Sequence, residues 1–101
     1  MVEVFIKGRL HRTNAMAVFD EMSGKITVKQ GSIVSEDIAE YRNKSKMEKL
    51  RKEYVNPNNE VNQDVEFDNC TTAAQFVCGY SVSGISAWHT EPHKTLKEFL
   101  G

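Results

Sequence analysis

The sequence predicts an α+β domain: a small, mainly antiparallel sheet packed by helices near residues 46–54 and 70–78. Two kinds of observation carry this. Early segments alternate apolar and polar residues with a period of two, and later segments place apolar residues on one helical face between start and stop signals. Strands followed by helices, rather than regular alternation of the two, favour an antiparallel sheet covered on one face.

Residues 2–6 open the pattern, with Val2, Val4 and Ile6 on one side of a strand and Glu3 and Phe5 on the other. Lys7-Gly8 breaks it, and Arg9 to Arg12 are expected to continue on a neighbouring edge. Ala15 to Phe19 is a second apolar run, and DEMSG at 20–24 is a turn. Residues 25–30 then alternate strictly, with Ile26 and Val28 facing in. Residues 14–30 therefore read as a β-hairpin with a loop of about five residues. A short strand is expected around Val65–Phe67.

Two helices follow. Ser45 and Glu48 have capping-box spacing, Met47, Leu50 and Tyr54 form one stripe, and Asn56-Pro57 stops the segment. In the second, Asn69 is a good N-cap, with Thr71 and Thr72 as competitors. Ala73, Ala74, Val77 and Cys78 share a face, and Gly79 suits the left-handed residue that ends a helix. Beyond it, Tyr80 to Val82 reads as extended, Ser83-Gly84 as a turn, and Ile85 to Trp88 as the lead into another extended piece. Leu96, Phe99 and Leu100 form a last amphipathic turn.

The 101 residues fit a single domain over 1–101. No apolar run approaches the length of a membrane-spanning helix, and MVEVFIKGRL lacks the basic start and apolar core of a secretory signal. The expectation is a cytoplasmic protein without a membrane role. Cys70 and Cys78 on one helix stand roughly 12 Å apart along its axis, beyond the reach of a disulfide. A thiol at the helix start, Cys70, is a candidate for a lowered pKa.

The net charge of −1 does not point to a polyanion partner by itself, but the charges are uneven. Residues 42–52 carry six cations (Arg42, Lys44, Lys46, Lys49, Arg51 and Lys52) against one acid, Glu48. Lys46, Lys49 and Lys52 are candidate phosphate contacts, set against the reading of a merely solvated helix face. Lys7, Arg9, Arg12, Lys25 and Lys29 extend that patch if they share a side. Ser81, Ser83 and Gly84 are candidates to approach a base, since glycine admits close backbone contact and serine both donates and accepts. Trp88 is either a core cover or a stacking surface. His89 and His93 are four apart with Pro92 between them, a poor metal pair. No nucleophile elbow, phosphate loop or carboxylate pair is present, so neither a cofactor nor an enzymatic activity is expected.

The stretch FDNCTTAAQFVCGYSVSGISAW (67–88), followed by KTL, resembles a domain of unknown function often found at the C-terminus of GIY-YIG nucleases. Phe67, Asn69, Thr71, Ala73, Ala74, Val77, Gly79, Ser81, Gly84, Trp88, Lys94, Thr95 and Leu96 match that pattern or substitute closely. VFIKGRLHRTNAMAVFD and ITVKQGSIVS are similar to its leading strands, so the resemblance covers almost the whole chain. Cys70 replaces the proline common at the helix start, and Ser83 the usual asparagine. The family looks related to restriction/modification-associated (RAMA-like) domains. The resemblance implies a non-catalytic accessory module in a restriction or nuclease context, with DNA and a nuclease or restriction/modification protein as partners. It transfers no catalytic residue, and the chain carries no nuclease motif. The reading set against it is a protein-interaction or structural module with no nucleic-acid role.

Overall fold

The computed structural model describes residues 1–8 and 13–101; the expected continuation over 9–12 lies outside them. The predicted α+β class holds. Among the described residues, six antiparallel strands form one sheet: β1 (Val2–Lys7), β2 (Asn14–Phe19), β3 (Ile26–Val28), β4 (Val65–Phe67), β5 (His89–Glu91) and β6 (Lys94–Thr95). Their order is β4-β3-β2-β1-β5-β6, so β1 lies inside the sheet.

The hairpin of β2 and β3 is present, with Phe19 opposite Ile26 and Ala17 opposite Val28. Its turn is closed by Asp20, whose Oδ1 accepts from the Met22 N–H at 2.9 Å and whose Oδ2 accepts from the Ser23 hydroxyl at 3.0 Å. Alternation then sorts the side chains. Val4, Ile6, Ala15, Ala17, Phe19, Ile26, Val28, Val65 and Phe67 are buried on one face. Their neighbours Glu3, Phe5, Met16, Val18, Thr27 and Glu66 remain partly or fully exposed on the other.

The helices are α1 (Lys44–Tyr54), α2 (Cys70–Cys78), α3 (Gly84–Ala87) and α4 (Leu96–Leu100). Met47, Ala73, Ala74, Phe76, Val77, Trp88 and Leu96 join the inward strand residues in one core cluster. The helical layer therefore lies on one side of the sheet. Asn69 caps α2, its Oδ1 accepting from the Thr72 N–H at 2.8 Å, and Gly79 ends it at φ 79°. Thr95 and Glu98 form a reciprocal capping box on α4.

Two local expectations are corrected. The Ser45/Glu48 capping box does not form; α1 starts earlier, after Asn43, without a side-chain cap. The Asn43 amide instead donates to Gln75 Oε1 at 3.2 Å, so a tertiary contact helps set this helix start, beside the local i,i+4 pair of Lys44 with Glu40. Ile85 to Trp88 do lead into an extended piece, β5, by way of the single turn α3, which the Trp88 N–H closes by donating to the Gly84 carbonyl at 2.9 Å. The second correction is at Tyr80 to Val82, where no strand forms.

Candidate nucleic-acid interface

Three to four residues make one turn of α1, and that spacing sorts its cations. Met47 is buried, and Leu50 and Tyr54 pack against the core from the same stripe. Lys46, Lys49 and Lys52 are exposed and fall within an arc of about 120° centred on Lys49, on the side away from Met47. Among the described residues, none of the three has a carboxylate oxygen within 4.0 Å. Acids flank both ends of the arc all the same. Lys46 lines a cleft of about 260 Å³ with Glu66 and Asp68, and Lys52 one of about 410 Å³ with Glu36, Asp37 and Glu48. Lys49 borders neither, but the exposed Glu53, four residues on, falls inside the arc beside it.

Arg51 does not belong to this surface. Its guanidinium turns inward and donates to the Ser35 carbonyl at 2.6 Å, the Ser35 hydroxyl at 2.8 Å, the Phe76 carbonyl at 2.9 and 3.1 Å and the Val77 carbonyl at 3.2 Å. Phe76 and Val77 sit in the last turn of α2, which has no basic residue of its own. Arg51 thus answers carbonyls left without helical donors, at the negative end of the helix dipole. Burial pushes its pKa down to about 10, which leaves it charged at neutral pH. One signal for this was legible: a helix ending in Phe-Val-Cys-Gly needs a donor from elsewhere.

The second half of the predicted site behaves differently. Ser81 and Ser83 are exposed, but Gly84 is buried. A Cβ placed there would meet the Cys70 carbonyl carbon at 2.3 Å and the Thr71 nitrogen at 2.4 Å. The close approach that this glycine permits is therefore to the first turn of α2. Its N–H is taken by the Thr71 hydroxyl at 3.2 Å. Trp88 is fully buried, and its indole N–H donates to the Cys70 carbonyl at 3.0 Å. It covers the core and presents no face for stacking. Of the turn, only the two serines face solvent.

Cys70 does not have the lowered pKa expected at a helix start. Burial pushes its thiol up, and burial likewise raises that of Cys78. Both cysteines are free. No group of three or more metal-ligating side chains forms among the described residues. No helix among them is long and apolar enough to cross a membrane.

The hairpin cations do not extend the α1 arc. Lys25 and Lys29 line a shallow cavity with Val18 and Thr27, which places them on the sheet face opposite the helices. They pair there with Glu66 at 3.7 Å and Asp64 at 2.9 Å.

Neither the curated proteins nor the solved structures include a match to this chain. A family model does match, over residues 6–100, from the buried Ile6 of β1 to the last residue of α4. The match takes in β2 to β6, the end of β1, the lysine-bearing helix and the Gly84 contact, and the chain belongs to the family described as domain of unknown function DUF4357.

Proposed function

We propose that this chain is a non-catalytic nucleic-acid-binding accessory module, serving a nuclease or a restriction/modification protein, with Lys46, Lys49 and Lys52 as its phosphate contacts. The observation that carries this is the exposed arc of three lysines on α1, free of carboxylate partners among the described residues. The similarity of residues 67–88 to nuclease-associated domains supports the same context. Lysines at this spacing supply sequence-independent affinity and position the module without reading bases.

Acids stand near all three lysines, in the flanking clefts beside Lys46 and Lys52 and at Glu53 four residues after Lys49, and they weaken the field of each. The test is titration of labelled duplex DNA at several salt concentrations. Replacing all three lysines by alanine is expected to reduce the salt slope by roughly three units, about one per contact. Each single alanine variant is expected to lower the slope by about one unit and to weaken binding less than the triple variant. Absence of binding to any nucleic acid at low salt would remove the reading. An unchanged slope in the triple variant would leave α1 as a solvated face.

A further inference from the structure

We propose that the sheet face turned away from the helices is a second nucleic-acid surface, one that holds unpaired bases by stacking on Phe5 and His89. The inference takes its ligand class from the function proposed above but uses a different side of the molecule.

Register brings the two rings together. Phe5, on an interior strand, stands directly opposite His89 of β5. Their ring centroids are 5.9 Å apart and their planes 28° apart, a stacked pair. The His89 ring is held in place from behind, with Nδ1 2.8 Å from the Ala87 carbonyl. A carbonyl only accepts, so Nδ1 carries the proton and Nε2 is left as an acceptor in the neutral ring. Lys7 adds the charge, its Nζ 5.8 Å from the Phe5 centroid. No carboxylate oxygen lies within 4.0 Å of that ammonium among the described residues. Phe5, Lys7, His89 and Pro92 line a shallow cavity of about 290 Å³.

A cation beside stacked rings on an open antiparallel sheet is the chemistry that single-stranded nucleic acid requires. Bases stack on the rings whatever their identity, and the backbone phosphates find the lysine. Duplex DNA does not suit this site, because its bases are already stacked inside the helix. Two exposed acids border the ring pair along its strands, Glu3 two positions before Phe5 and Glu91 two positions after His89, so stacking rather than net charge is the main attraction here. Lys25 and Lys29 further across are paired with Glu66 and Asp64, whereas Lys7, beside the rings, has no carboxylate oxygen within 4.0 Å among the described residues.

The experiment is anisotropy titration of a labelled oligothymidylate of about ten nucleotides, within the usual site size of a small single-strand-binding fold. Duplex of the same length is measured in parallel. Wild type is expected to bind the single strand, and Phe5→Ala and His89→Ala each to weaken it about tenfold or more, as loss of one stacking contact does. Lys7→Ala is expected to weaken it less and to lower its salt slope by about 0.7. All three variants should leave duplex affinity unchanged, because the α1 lysines proposed to contact duplex phosphates lie on the other side of the sheet. Phe5→Trp should retain single-strand affinity, and its new indole fluorescence should be quenched on binding, while Trp88 is buried and contributes no change. Since Phe5 and His89 are half-exposed, folding should survive these changes, which the melting midpoint checks. Unchanged single-strand affinity in Phe5→Ala, or binding without quenching in Phe5→Trp, overturns the stacking surface. Duplex binding through α1 without single-strand binding overturns it while the proposed function stands. Binding of no nucleic acid in either form removes both.

Discussion

Arg51 shows how one side chain changes meaning between the chain and the fold. In the sequence it is one of six cations in a basic stretch; in the structure its five donor contacts all go to Ser35, Phe76 and Val77. No carboxylate neutralises it within 4.0 Å among the described residues, so the carbonyl dipoles at the end of α2 provide its counter-charge. Hydrogen bonds to a charged group contribute about 1.5–3 kcal/mol each, and leaving buried acceptors bare costs further. Arg51→Met, which keeps the stem but removes every donor, is expected to cost about 3 kcal/mol or more in urea unfolding. Arg51→Lys should recover only part, since a single ammonium cannot reach the same fork of acceptors. An unchanged midpoint for the methionine variant would mean that these bonds do not hold α1 to α2.

Helix α2 is held at both ends by the residues around it. Its first turn is capped by Asn69, receives the Trp88 indole N–H at the Cys70 carbonyl, and lies against Gly84 of α3. Its last turn runs into Gly79, where a Cβ would stand 2.4 Å from the Asp37 carbonyl oxygen at a left-handed φ. The contact at Gly84 is backbone against backbone, so no side chain can swing aside to make room. Gly84→Ala is accordingly expected to cost about 3 kcal/mol, the upper end for overpacking, although alanine suits a helical turn by propensity. A thermal midpoint equal to or above that of wild type would show that α3 can move away from α2. Ala73 and Ala74, both fully buried, allow the same closeness on the core side of α2.

Across the molecule, acid should loosen the β2–β3 hairpin first. Asp20 closes its turn, and Asp64 grips its other end by accepting from the Gln30 N–H at 2.8 Å and from Lys29 Nζ at 2.9 Å. The Met22 N–H holds the pKa of Asp20 below the ordinary carboxylate value, and the Gln30 N–H, then Lys29, does the same for Asp64. A lowered folded-state pKa means that the unfolded chain binds the proton first. The stabilisation is then complete above the ordinary carboxylate pKa of 3.8 and is lost as pH falls through the lower folded values. The double variant Asp20→Asn, Asp64→Asn is expected to be less stable at neutral pH and to show a shallower loss below about pH 4. An acid limb as steep as that of wild type would assign the dependence to other carboxylates.

The sequence by itself determined what depends on neighbours along the chain. The period-2 strands, the β2–β3 hairpin, the Asn69 cap and the Gly79 stop were all legible, because alternation, capping and left-handed φ are local demands of the backbone. So was the solvated position of Lys46 and Lys49, which follows from the Met47 stripe. Only the tertiary structure decided the partners. It turned Arg51 inward, set the start of α1 by the Asn43–Gln75 contact, and folded Ile85 to Ala87 into a turn because Gly84 had to meet Cys70. It also sealed Trp88 in the core and set Phe5 against His89. Each of these depends on which distant segment arrives alongside. Phe5 and His89 are neighbours because β5 pairs with β1, a choice made by burying Trp88 and Leu96 beneath the sheet, and no spacing along the chain encodes it.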